Sequence, residues 1–221
     1  MKPDFEDIAL IPARSGSLQV GRSLAGHPLI AYTIAAAKQS GIFRQIFVSS
    51  DSSDMLDLAR AAGCSTHRRK PHHATRESPD LEWVHDLLTC PWMQHAFAKY
   101  LGSPEYFAIL RPTSPFRTAA TIQRAWAELA RSECDYLRAV RPARAHPPPE
   151  QTLPAVYQQS TSVEIVKCAM VRDRLYPSLC GGRVYRFLSP EPDGFEIRTE
   201  DDVAYVEKKI ASGEWTLPEV G

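Results

Sequence analysis

Nowhere does the sequence hold a run of about 18 apolar residues, so no membrane span is expected. Neither charge sign is in surplus: Lys+Arg and Asp+Glu are both 26, which excludes wholesale attraction to nucleic acid or to an acidic membrane. There is no CxxC pair and no His/Cys spacing of the zinc type. The five cysteines, at 64, 90, 134, 168 and 180, are scattered and odd in number, which reads as free thiols in a reducing compartment. The opening residues MKPDFEDIAL lack the apolar stretch of a signal peptide, so a soluble, cytoplasmic protein is expected. Repeats and low-complexity tails are also missing.

What is present is enough apolar material for a core: 221 residues, 43% hydrophobic, read as a single domain over 1–221. Ile8 to Ile11 is a short apolar run that suits a buried strand. Pro28 to Gln39 has helical spacing, and Ser40-Gly41 supplies its stop. IFVSSD reads as a second strand. Ser53 caps the next helix, with Leu56, Ala59 and Ala62 inward and Gly63 at the end. Ser78-Pro79 reads as N-cap and first helical residue. YFAIL and DYLRAV are strands on either side of a helix opened by Thr118 or Thr121, and SVEIVKCAMV is a further strand. A final helix carries Val203, Val206 and Ile210, with Thr199 and Asp202 as its cap. Strands alternating with helices predict a mostly parallel sheet covered on both faces. The proline-rich segment from about 141 to 160 interrupts that pattern.

The stretch LIPARSGSLQVGRSLAGHPLIAYTI, Leu10 to Ile34, has the outline of strand, Gly/Ser-rich loop and helix, but it holds no lysine. It is neither a Walker A loop nor a GxGxxG fingerprint. Arg14 offers a planar, permanently charged fork, Ser15 and Ser17 offer hydroxyls, and Gly16 permits close backbone approach. A loop of this kind at the carboxyl end of a strand suits phosphate. Gly/Ser-rich turns after strands are also common as plain structure.

Further segments occur in a telling order: PARSGS, LAGHPLIAYTIAAA, VSSDS, SPDLEWV, RPTSPFR, YQQSTSVEIVK and FEIRTEDD. In that order, from about residue 7 to 211, the chain resembles the cytidylyltransferases that activate sialic-acid-like sugars. The resemblance implies a Rossmann-like nucleotide-diphospho-sugar transferase fold, a mostly parallel twisted sheet with helices on both faces. It also implies a dimerisation and sugar-facing excursion over 141–175, hence a homodimer. The implied reaction is attack of an acidic nine-carbon sugar's anomeric hydroxyl on the α-phosphate of CTP, giving a CMP-sugar and pyrophosphate with Mg2+ assistance. Pro12, Ala13, Arg14, Ser15, Gly16 and Ser17 match the triphosphate loop, with Arg22 as a further cation. Arg111, Pro112, Thr113 and Ser114 match a segment lying against the nucleotide, with Ser78 at its border. Arg14, Arg111 and Arg117 are the implied catalytic cations, facing phosphate or the sugar's carboxylate. Gln158, Gln159 and Lys167 match the sugar-facing strand, and Glu196 matches a metal ligand.

The chain also departs from that family. Leu18 stands where a lysine is expected, in a shortened loop, and Arg22 is the candidate replacement. Arg76 stands where an aspartate is usual, Ser160-Thr161 where Asn-Gly is common, and Arg198 where a second metal-binding carboxylate is expected. Three readings therefore remain open: an active synthetase, a transferase retuned to another nucleotide or sugar, and a degenerate homologue kept as a binding or assembly protein. The basic loop HRRKPHH, with His67, His72 and His73, reads as solvated, and His27, His85 and His95 as structural.

Overall fold

The computed structural model describes residues 7–15, 22–143 and 156–220. Ile8–Pro12 forms β1, a strand buried on both faces as its unbroken apolar run requires. Two two-residue strands, β2 (Ser23–Leu24) and β3 (His27–Pro28), make a small antiparallel ladder ahead of α1 (Leu29–Ser40). Gly41, left-handed with φ 64°, ends α1 as the sequence predicts. Next come β4 (Gln45–Ser50), α2 (Ser53–Ala61) and β5 (Ser65–Arg68). Ser52, not Ser53, caps α2: its hydroxyl accepts from the N–H of Met55.

A single 3-10 turn, Pro71–His73, precedes α3 (Asp80–Thr89), α4 (Pro91–Ala96) and a π turn, Phe97–Leu101. The chain continues through β6 (Tyr106–Ile109), α5 (Ala119–Ser132), β7 (Tyr136–Pro142) and β8 (Tyr157–Lys167). It finishes with α6 (Cys168–Arg172), β9 (Val184–Leu188) and α7 (Glu200–Ala211). Thr118 caps α5, and Thr199 with Asp202 forms a complete capping box on α7.

Seven strands share one sheet in the order β5-β4-β1-β6-β8-β7-β9. β5, β4, β1 and β6 run parallel, and β7 and β9 are parallel to each other. β8 is antiparallel to both β6 and β7. The apolar run SVEIVKCAMV therefore divides, its tail turning into α6 after Lys167. Side chains alternate faithfully across the sheet. Ala9, Ile11, Ile46 and Val48 face α1, α2 and α5, while Ile8, Leu10 and Phe47 face α3 and α6. A third cluster, with Phe116, Phe195, Val206 and Trp215, fixes α7 against α1.

One feature of the topology places the site. The chain leaves β1 toward β4 and β5, then returns to β6 on the other side of β1. Such a reversal leaves a crevice at the carboxyl ends of the two strands, which is where open α/β sheets bind ligands.

Candidate functional site

The crevice between β1 and β6 is a cavity of about 270 Å³. It is lined by Pro12 at the end of β1 and Arg14 after it, by Arg69 after β5, by Thr75, Arg76, Ser78 and Asp80 leading into α3, and by Arg111, Pro112 and Thr113 after β6. Four arginines against one aspartate make it an anion site. The sequence predicts Pro12, Arg14, Ser78, Arg111, Pro112 and Thr113 here, and the fold brings all six together.

Arg111 is its central cation. One nitrogen, Nη2, donates to Asp80 Oδ2 at 2.5 Å and to Glu164 Oε1 at 3.3 Å. Burial alone would lower its pKa, but Asp80 and Glu164 outweigh that and raise it. Glu164, 2% exposed, also accepts from the Tyr136 hydroxyl at 2.6 Å and lies 3.6 Å from Arg138. Burial pushes the Asp80 carboxyl up, yet Arg111, Trp83 and Arg69 together hold it below its ordinary value.

Arg69 is the residue that sequence reading missed. It is 5% exposed, with its guanidinium 4.4 Å above the ring of Trp83 and its Nε donating to Ser49 Oγ at 3.2 Å. Desolvation lowers its pKa to about 10, which still leaves it charged at neutral pH. Trp83, fully buried, supports the site twice, since its Nε1 also donates to Asp80 Oδ1 at 2.7 Å. The available signal was position: Arg69 follows β5 directly, at the same sheet edge as Arg14 and Arg111.

His67, in the same basic segment, is buried rather than solvated, with Nδ1 3.0 Å from Ser49 Oγ. Burial lowers its pKa to about 4; Asp86, 3.8 Å from Nε2, opposes that shift without reversing it, so the ring is neutral near pH 7. The unfolded chain therefore takes up this proton first. Stability contributed by the neutral ring falls as pH drops from about 6.5 to about 4, by about 1.4 kcal/mol per pH unit. Denaturant melts across that window will show this slope in the native protein and not in His67→Gln; parallel profiles would contradict the assignment.

Several sequence expectations are corrected by the geometry. Arg117 is fully buried. Its Nη1 donates to Ser162 O at 2.6 Å and Arg111 O at 3.2 Å, and its Nη2 to Thr33 Oγ1 at 2.8 Å. It holds the RPTSPFR turn from behind instead of facing phosphate or carboxylate; burial lowers its pKa to about 9. Ser114, 1% exposed, points into the interior, and its hydroxyl has no partner among the described residues. Arg22 pairs with Glu200 on α7 and does not line the crevice. Ser78 is not the helix cap: Pro79 holds that position, and Ser78 donates its N–H to Thr75 Oγ1 at 3.1 Å. Ala13 is buried, its N–H donating to Ser49 O at 2.9 Å. Ser15 donates its N–H to Asp51 Oδ1 at 2.8 Å and its hydroxyl to Oδ2, so Asp51 takes donors that a phosphate would otherwise meet. Burial pushes Asp51 up, but those two bonds hold it below its ordinary value. Gly16 and Ser17 lie outside the described residues.

The three sugar-facing expectations do not converge on the crevice. Lys167 stands opposite Tyr106, at the amino end of β6, with Glu105 3.7 Å and Asp135 3.8 Å away. Arg111 follows the other end of that strand, so the two cannot share a small ligand. Gln158 lies beside Arg141 near the start of β8, and Gln159 is exposed opposite Val140.

The expected metal position also fails the chemical test. Glu196, 5% exposed, accepts from the N–H of Thr161 at one oxygen and from Arg198 at the other, Arg198 Nε lying 2.6 Å away. A hard cation needs several free oxygens. Among the described residues, no group of three or more His, Cys, Asp or Glu side chains is placed to hold a metal. Nor does any helix among them have the length and apolarity to cross a membrane.

Comparison with known proteins agrees with this geometry. Residues 8–90 match the sequence model of the cytidylyltransferase family. The CMP-N,N'-diacetyllegionaminic acid synthase of Legionella pneumophila is 40% identical over 126 residues, covering 53% of this chain and 50% of that protein. The N-acylneuraminate cytidylyltransferase of Escherichia coli is 37% identical over 119 residues, covering 52% and 26%. The chain thus spans about half or less of the length of these curated relatives. Among solved structures, CMP:2-keto-3-deoxy-manno-octonic acid synthetase complexed with CTP superposes with a TM-score of 0.71 at 12% identity, over 94% of this chain and 99% of that one. Sequence and fold meet at the crevice, and over residues 8–90 the chain is similar to the cytidylyltransferase family.

Proposed function

We propose that the chain binds CTP in the crevice between β1 and β6 and transfers its cytidylyl group to an acidic nine-carbon 2-keto-3-deoxy sugar. The observation that carries this reading is the convergence of Arg14, Arg69, Arg76 and Arg111 on one cavity at the strand-order reversal. The sugar class comes from the relatives' names.

In the reaction, the sugar's anomeric oxygen bonds to the α-phosphorus, the bond to pyrophosphate breaks, and the hydroxyl proton leaves to solvent. No side-chain nucleophile is required, because catalysis of this kind rests on positioning and charge stabilisation. Arg14 follows β1 at the loop, while Arg111 is held rigid by Asp80 and Glu164, so its charge needs no reorganisation as negative charge develops. Trp83 fixes Arg69 from beneath. A triphosphate reaching Ser15 exchanges for the Asp51 carboxylate.

The homodimer belongs to the same proposal. β9 is the end strand of the sheet, and its Val184 and Leu188 are exposed, as are Val156 and Tyr157 at the start of β8.

The test is pyrophosphate release from CTP with a panel of nine-carbon acidic sugars, together with detection of the CMP-sugar. Stoichiometric formation of both products supports the proposal. CTP binding without release from any of these sugars would favour the degenerate homologue, the reading that Arg22 on Glu200 and Arg198 on Glu196 also motivate.

A further inference from the structure

The segment Phe195 to Arg198, which belongs to no helix or strand, passes beside the crevice, and the N–H of Ile197 donates to the carbonyl of Thr113 at 2.8 Å. Phe195 and Ile197 are buried in the α7 cluster, while the side chains of Glu196 and Arg198 meet each other. Glu196 forms the floor, with its side chain 4% exposed; Arg198 lies over it, 65% exposed. One carboxylate oxygen is tied to the Thr161 N–H and the other meets both Nε and Nη2 of Arg198. Asp202, in the first turn of α7, accepts from the N–H groups of Arg198 and Thr199 in the helix cap.

We propose that the Arg198 guanidinium is the resident cation of this position, so that Glu196 holds an arginine here and not a divalent ion. The inference deepens the cytidylyltransferase reading and rests on it for the meaning of the position, next to the Thr113 rim. The physical argument is one of charge and valence. A carboxylate pair on alternate positions offers two negative groups to one hard cation; Glu196 with Arg198 is neutral and already satisfied. A guanidinium does not dissociate and cannot be chelated, so the positive charge beside the crevice is permanent and singly charged.

The test uses Mn2+ alone, without nucleotide, followed by the electron paramagnetic resonance signal of the free ion. The native protein is expected to leave Mn2+ free up to about 1 mM, while Arg198→Asp, which recreates two carboxylates, gains one site at least about tenfold tighter. Adding Glu196→Gln to that variant removes the gained site. Should Arg198→Asp fail to fold, Arg198→Ser frees the same carboxylate and is expected to gain the site more weakly. A native protein that binds one Mn2+ and loses it in Glu196→Gln overturns the proposal. So does a folded Arg198→Asp that gains no ion. Because no nucleotide is present, neither result depends on whether CTP binds, which separate titration decides.

Discussion

Replacing Arg111 with alanine will lower kcat/KM for the proposed cytidylyl transfer by about 10²–10³-fold, a loss of about 2.7–4 kcal/mol in transition-state stabilisation. The reason is the arrangement around one nitrogen: Asp80 and Glu164 both hold the guanidinium, so its charge stands fixed at the crevice. Removing it also leaves two carboxylates without their shared partner, at a cost on the order of 3 kcal/mol in stability. That cost depends on pH with a definite sign. In the native protein Asp80 sits below its ordinary pKa, despite burial, because Arg111 and its other partners outweigh desolvation. Its contribution is therefore present above the unfolded carboxyl value and lost as pH falls through the folded one. Without Arg111, burial dominates and the folded pKa rises, so the variant's deficit narrows on acidification from pH 7 toward pH 5. Steady-state kinetics and denaturant melts at the two pH values check both parts. A variant with unchanged kcat/KM would remove Arg111 from the reaction.

Arg117→Met will fail in the opposite manner. It lies six residues along the same motif, but its guanidinium is enclosed and bonded to Ser162 O, Arg111 O and Thr33 Oγ1. Methionine fills much of the volume and satisfies none of these groups, so stability falls by about 3 kcal/mol, or about 6–12 °C in Tm for a chain of this size. Activity of the folded fraction falls less than about tenfold, because the turn loses a tether and not a ligand. Thermal unfolding and kinetics at a temperature below both transitions separate the two effects. A variant as stable as the native protein but deprived of turnover by 10²-fold or more would show that Arg117 meets substrate after all.

The contrast between these two arginines shows what the sequence carries. RPTSPFR marks a strand-to-helix turn at the right sheet edge, and that much follows from proline stiffness and the flanking periodicities. Which arginine turns outward depends on β8 and α1, whose Ser162 and Thr33 reach Arg117 only once the sheet has formed. The first strand and the helix ending at Gly41 were legible because apolar spacing and Gly41 are local signals. The antiparallel direction of β8 was not legible, since a buried apolar run reads the same in either direction. β9 was missed because VYRFL, mostly exposed, carries too few buried positions to mark a strand. Arg69 looked solvated inside HRRKPHH; its burial comes from Trp83, which α3 brings beneath it. Arg198 was legible as a departure, but the sequence could not show that it occupies the carboxylate beside it.

The arginine-lined crevice between β1 and β6 is proposed as a CTP site. Calorimetric titration of the purified protein with CTP, UTP, GTP and ATP, each with and without Mg2+, tests it most directly. Saturable binding of CTP, at least about tenfold tighter than the other three nucleotides, and a loss of that binding in Arg111→Ala are expected. No binding of any nucleotide at millimolar concentration, or equal binding of all four, would contradict it.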